Sequence, residues 1–296
     1  MQIKELAFPV SAVLIWSGNT IISKMSAGLI DPAAMSFYRW LLAAVLLTPF
    51  CLPGVWRQRR QIRPHVWKIT ALALFGMVLY QSLAYFAAAT ASAMNMGMIV
   101  SLMPLLTLLL SNWFLRESPS WGTLVGGIVS LCGLAILIGK GDPGQLFGKG
   151  VVTGDLIMLL ATFSYGLYGV LLRRWALPIG AWSLLYLQIW VAVLLLLPLC
   201  LMAPYSPVTA ANLPLILYAG IAASIVAQWL WMKGIAALGA SRATMFMNLF
   251  PLFTVAIAVL VLHESLHAYH AIGGGITLAG VVLAQLLKQA VQRPSA

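Results

Sequence analysis

The chain has 296 residues and a formal net charge of +11, yet 62% of it is hydrophobic, only 8% is charged, and its mean hydropathy is +0.97. A soluble domain carries about 25% charged residues, so a soluble fold is excluded and an all-α integral membrane protein is expected. The basic excess is one of topology and asks for no nucleic-acid partner.

A helical span takes about 20 apolar residues, and ten such runs follow one another: 6–26, 33–53, 67–89, 93–115, 120–139, 152–172, 179–203, 213–236, 243–263 and 268–288. The first is too long for a signal-peptide core and no small-residue cleavage site follows it, so it is expected to remain as the first span. Asp31-Pro32 opens the second run and Ser118-Pro119 the fifth, each an N-cap followed by proline at the first helical position. Arg39, about 10 Å into the second run, is expected to snorkel to the outer interface. Gln81 and Gln228 fall near the centres of the third and eighth runs, flanked by Tyr80, Tyr85, Trp229 and Trp231. A buried amide must find a partner in hydrocarbon, either on another helix or in a wet cavity. Pro104 and Pro251 sit in the fourth and ninth runs, where proline removes a backbone hydrogen bond and kinks the helix. Met94, Met96, Met98, Met245 and Met247 supply adaptable apolar surface there. Small residues four apart, Gly122 with Gly126 and Gly273 with Thr277, allow close helix approach. They point to packing within one monomer rather than to a dimer contact.

The runs repeat. An offset of 147 carries Gln81 onto Gln228, Pro104 onto Pro251, Glu117 onto Glu264, and Gly126 and Gly133 onto Gly273 and Gly280. Earlier in the chain an offset of 149 carries Lys24 onto Arg173 and Pro49 onto Pro198. The chain therefore divides into two five-helix units, 1–143 and 144–296. Each unit holds an odd number of spans, so the two cross the bilayer in opposite senses. Inverted repeats of this kind recur in secondary transporters, with the substrate at the repeat interface and matched helix breaks marking the site.

Charge sets the orientation. With the N-terminus inside, Lys4, Arg57, Arg59, Arg60, Arg63, Lys68, Arg116, Arg173, Arg174, Lys233, Arg242, Lys288 and Arg293 are cytoplasmic, and only Lys24, Lys140 and Lys149 are external. The positive-inside rule then puts both termini in the cytoplasm, and the basic run 56–63 faces anionic inner-leaflet lipid.

Pro104-Leu105 and Pro251-Leu252, each followed thirteen residues after the proline by Glu117 or Glu264 and then by a glycine-rich helix, resemble the tandem EamA-type proteins of the drug/metabolite transporter superfamily. Trp16-Ser17-Gly18-Asn19 and Tyr38-Arg39-Trp40 resemble that family's first two helices. The nearest resemblance is to the YddG-type exporters of aromatic and other bulky apolar amino acids. The resemblance implies ten helices in a pseudo-twofold basket, the first, third and fourth of each half surrounding a central cavity. It also implies a home in the bacterial cytoplasmic (inner) membrane.

Four features bear on rival functions. His263-Glu264-Ser265-Leu266-His267 spells the zinc-protease HExxH, which works only with both histidines on one helix face. Here the segment falls between two spans, and the repeat mate is Arg116-Glu117-Ser118-Pro119-Ser120. Glu117 and Glu264 are expected to favour the start of the helix that follows each of them. Cys51, Cys132 and Cys200 have no metal or disulfide spacing, and no cofactor is implied. An intramembrane enzyme would need catalytic groups at mid-depth, whereas His65, His263, His267 and His270 fall at interfaces. No carboxylate lies at the centre of a run, which disfavours proton-coupled cation antiport.

The sequence thus predicts an exporter of small neutral metabolites, foremost amino acids with large apolar side chains, working by alternating access. Another solute (a nucleobase, sugar derivative or neutral drug) is the alternative. Gln81 and Gln228, with Asn19, Asn95 and Asn248, are expected to give polar contacts to the substrate; Tyr80, Tyr85 and Trp229 form the apolar wall, and Pro104 and Pro251 act as hinges. Cysteines at Gly144 or Asn212 should label from outside the cell and one at Gln61 should not; the opposite pattern would overturn the orientation.

Overall fold

A computed structural model describes residues 3–115, 121–142, 152–238 and 246–291. Among these residues there is no strand, as the hydropathy demands: in hydrocarbon a helix satisfies its own backbone, and an open strand edge does not. The helical runs are α1 (Ile3–Ser26), α2 (Pro32–Ile62), α3 (66–88), α4 (93–115), α5 (Trp121–Ile138), α6 (Thr153–Trp175), α7 (Ala181–Met202), α8 (Leu213–Leu238), α9 (Phe246–Leu262) and α10 (Ala268–Val291). Six helical stretches are long and apolar enough to cross a membrane, one of them the 57-residue Pro32–Ala88; α5, α9 and α10 contain shorter apolar stretches.

Several boundaries differ from the sequence expectation. The basic stretch 56–63 is helical, and only a single 3-10 turn, Arg63–His65, separates α2 from α3. Asp31 does cap α2 as expected, its carboxylate accepting from the Ala33 amide at 2.8 Å. The Glu117 and Ser118 expectations, Met245, and the 143/144 unit boundary lie outside the described residues. Glu264 does not serve the start of α10; its two oxygens accept the Ala93 and Met94 amides at 2.8 and 3.0 Å. It thereby caps α4, in the other repeat. Asn212 is buried, bonded to the Pro207 carbonyl and Thr209 amide. Tyr205, in the same connection and 92% exposed, is the more accessible position for labelling.

Packing follows the repeat. The two halves interlock: α1 lies against α8 and α9, and α6 against α3 and α4. The α2–α7 pair closes one side through a core of Trp40, Leu47, Tyr186, Ile189 and Leu196. On the other side α5 and α10 meet along a small-residue seam. Gly133 abuts the Thr277 backbone and the Gly273 carbonyl, and Gly280 abuts the Ser130 backbone and the Gly126 carbonyl. Ser130 and Thr277 are themselves repeat mates, and Ser130 Oγ donates to the Thr277 carbonyl at 2.9 Å. These glycines are spent on contact inside one chain. Where apolar side chains gain nothing from leaving lipid, such close backbone approach is what holds helices together.

A methyl group at Gly133 would press on the backbone of Thr277 and part the seam. Gly133→Ala should therefore lower the thermal midpoint in detergent, at a cost of about 1–3 kcal/mol. Gly169→Ala, where nothing lies within 4 Å of the added carbon, should leave it unchanged or slightly raised. Equal stability of the two variants would show that the seam is not close-packed.

Candidate functional site

Both α3 and α8 break α-helical register at the same point of the repeat. Leu74–Leu79 and Tyr218–Val226 are wide π turns that end just before Tyr80-Gln81 and Ala227-Gln228. Such turns are rare and cluster at functional sites. Ser224 shows the wider register directly, its hydroxyl donating to the carbonyl of Ala219, five residues back, at 2.8 Å.

The fourth and ninth spans are broken too. α4 consists of Ala93–Val100 and Met103–Leu115 with a turn at 101–102, and α9 of a 3-10 turn, Phe246–Leu249, running into Phe250–Leu262. Pro104 and Pro251 are the second residues of the new helices, where a missing N–H is tolerated. They mark helix breaks rather than mid-helix kinks. Each deprives the residue four positions earlier of its usual helical donor, and those residues are Val100 and Met247.

The π turns and the breaks converge on a central cavity of about 100 Å³, room for several waters. Its wall is built from repeat mates. Gly76 and Ala223, Met77 and Ser224, Gln81 and Gln228, Val100 and Met247, and Met103 and Phe250 line it in pairs at the 147 offset, and Trp16 and Tyr165 at the 149 offset. Asn19, Thr20, Ser23, Arg39, Trp40 and Tyr80 complete most of the rest. The first, third and fourth helices of both halves contribute, joined by α2 and α7.

The aromatic wall is cross-braced between halves. The Trp16 indole N–H donates to the Ala223 carbonyl at 3.0 Å, and its ring stands 5.4 Å from Trp231. Tyr80 lies 4.6 Å from Tyr165, which meets Tyr168 at 5.2 Å. Ser17 of α1 donates to the Phe250 carbonyl, at the α9 break, at 3.0 Å.

Of the residues singled out in sequence, Asn19, Tyr80, Gln81 and Gln228 line this cavity. The Gln81 and Gln228 amides have no side-chain hydrogen-bond partner among the described residues, and the Asn19 side-chain oxygen is buried without one. The other four do not line it. Tyr85 lies behind the wall, 2% exposed, its hydroxyl facing Arg39. Asn95 is bonded to the buried Asp155 carboxylate. Trp229 is 43% exposed, with Lys233 Nζ 5.9 Å from its ring. Asn248 is half-buried, outside the lining.

Arg39 departs from the sequence expectation. It does not snorkel; it is 3% exposed and lines the cavity. Nε and Nη2 donate to Ser224 Oγ at 3.3 and 2.8 Å, Nη1 donates to the Tyr85 hydroxyl at 3.2 Å, and Cζ sits 4.8 Å from the Trp40 ring centre. Sequence reasoning missed it because a basic residue ten ångströms from a helix end commonly escapes to the interface. Here the turn of α8 supplies Ser224 as a partner, which no local pattern announces. Trp16 and Tyr165 were legible in principle, through the 149 offset. The HExxH segment also resolves: residues 263–267 are not helical, and Glu264 is committed to the α4 cap.

A helical bundle of two similar units, closed around a polar-aromatic cavity at their junction, defines a multi-pass membrane transporter. The chain belongs to the EamA-like transporter family, which matches it twice, at residues 4–139 and 152–286. It is 28% identical to an uncharacterized transporter of Archaeoglobus fulgidus over 92% of this chain and 93% of that one. It is 25% identical to the uncharacterized transporter YyaM of Bacillus subtilis over 91% and 90% of the two chains. A probable terminal-alkyne amino-acid exporter of Streptantibioticus cattleyicolor is 23% identical over 85% of this chain and 83% of its own. A crystal structure at 17% identity superposes with a TM-score of 0.65, covering 99% of this chain and 100% of that one, and shares the fold.

Proposed function

We propose that the protein exports small neutral metabolites, foremost amino acids with large apolar side chains, across the cytoplasmic membrane by alternating access. The observation that carries this reading is the cavity lined by repeat mates, with unpartnered amides on an aromatic and methionine wall. A zwitterion leaving water must have both ends hydrogen-bonded; the amides, the carbonyls freed at Val100 and Met247, and retained water supply such contacts. Tyr80, Trp16 and Met103 offer the apolar face for the side chain. The amino-acid exporter among the relatives supports the substrate class, as does the YddG-type resemblance.

In this reading the two units span the membrane ten times as an inverted pair, both termini are cytoplasmic, and the protein works as a monomer with membrane lipid around it. Pro104 and Pro251 mark the points about which the halves of α4 and α9 flex. Among the described residues the cavity lining holds no carboxylate; this supports a transport that runs downhill with little dependence on a proton gradient.

Counterflow of a labelled amino acid panel in proteoliposomes, with and without a pH gradient, tests this. Phenylalanine, leucine and methionine should exchange, and a pH gradient should change the rates by less than about twofold. Gln81→Ala or Tyr80→Ala should cut exchange by about tenfold, the loss of one or two substrate contacts, while the protein stays folded. Absence of exchange for every amino acid would remove the substrate assignment. A pH gradient driving accumulation would remove the uncoupled mechanism.

A further inference from the structure

Arg39 is the least expected group in the molecule, and its bonds leave its charge unanswered. A guanidinium carries five N–H donors and cannot be deprotonated. Three donors are engaged: Nε and one N–H of Nη2 on Ser224, and one N–H of Nη1 on Tyr85. That leaves one N–H on each terminal nitrogen. Every partner is neutral, since the Ser224 proton goes to the Ala219 carbonyl and Tyr85 is a phenol. No carboxylate pairs with Arg39 among the described residues. The Trp40 ring face adds attraction without negative charge. A buried cation without a counter-charge is costly, and an ionisable group within a membrane span, facing a wet cavity, marks a substrate path.

A second, independent observation lies in the same wall. Asn19 is 9% exposed, lines the cavity and holds its side-chain oxygen without a donor. An unmet acceptor and an uncompensated cation thus share one small chamber.

We propose that Arg39 is the anion anchor of this cavity, its two free N–H groups taking the carboxylate of the solute in a forked pair, and that the Asn19 oxygen receives the solute's ammonium group. The assignment of a transported amino acid rests on the functional reading above; the anion site itself rests only on the geometry. The fork explains the use of arginine, because two parallel N–H donors match the two oxygens of a carboxylate, which the compact ammonium of lysine does not. The anchor lies between the halves, since Arg39 comes from α2 and Ser224 from the π turn of α8. A carboxylate seated there bears on both units at once.

Thermal stabilisation of the purified protein by four probes tests the anchor: phenylacetate, phenylacetamide, phenylalanine and phenylalaninamide. Wild type should be stabilised by the two acids at concentrations about tenfold lower than by their amides, the difference expected of one charge-assisted pair. Arg39→Gln should lose that acid preference, and Arg39→Lys should keep only part of it. Asn19→Leu should weaken phenylalanine and leave phenylacetate unchanged, because only the former carries an ammonium group. Equal response of wild type to acids and amides, response to none of the four, or an Arg39→Gln protein that still prefers acids overturns the proposal. The comparison of acid with amide in wild type needs no variant, so a misfolded Arg39→Gln protein does not blunt it. Acid-selective stabilisation without any counterflow would keep the anchor and refute the transport reading; counterflow of acid and amide alike would do the reverse.

Discussion

A chain surrounded by hydrocarbon must satisfy its polar groups from within, and that constraint governs this structure. Helices answer it for the backbone, and most of the buried polar side chains answer it by bonding a carbonyl one turn back or on a neighbour. Ser36 donates to Pro32, Thr162 to Met158 and Thr254 to Phe250, while Lys24 closes the end of α3 by donating to the Ala88 and Ala91 carbonyls at 2.9 and 2.7 Å. The exceptions fall in two groups. The side-chain oxygens of Ser82 and Gln188 and the Trp190 indole N–H are buried without a partner away from the cavity, whereas Asn19, whose oxygen is also unpartnered, lines it together with Gln81, Gln228, Arg39, Val100 and Met247. Unmet hydrogen-bonding capacity is costly in a dry interior and useful in a wet one.

The duplicated unit explains how such a place arises. When α1 packs on α8 and α9 and α6 packs on α3 and α4, the irregularities of both copies come to border one cavity. Two π turns, two broken helices and two glutamines meet around the junction. The symmetry is imperfect in an instructive way. Met77 has Ser224 as its repeat mate and Arg39 has Gln188; Arg39 lines the cavity and Gln188 is not among its lining residues.

The sequence disclosed the architecture more fully than the site. Hydropathy located the helical runs, and the 147 and 149 offsets exposed the repeat, because span length and duplication are written in residue spacing. Asn19, Tyr80, Gln81 and Gln228 reach the cavity lining, in keeping with the few other uses a central polar residue has. Tyr85, Asn95, Asn248 and Trp229 were not separable from them. A residue one place along a helix points about 100° away, and each π turn shifts the phase again just before the glutamines. Arg39 escaped because its depth alone suited snorkelling; only the fold brings Ser224 of α8 against it. Glu264 escaped in the same way, since its partner amides lie 170 residues distant in the chain.

In the proposed function this cavity is the path of the solute. Single cysteines at Val100 and at Met247, in a background lacking Cys51, Cys132 and Cys200, test it most directly with a water-soluble methanethiosulfonate reagent. Both positions should react, reaction should stop counterflow, and phenylalanine should slow the labelling. Labelling that leaves counterflow intact, or that phenylalanine does not slow at either position, would contradict it.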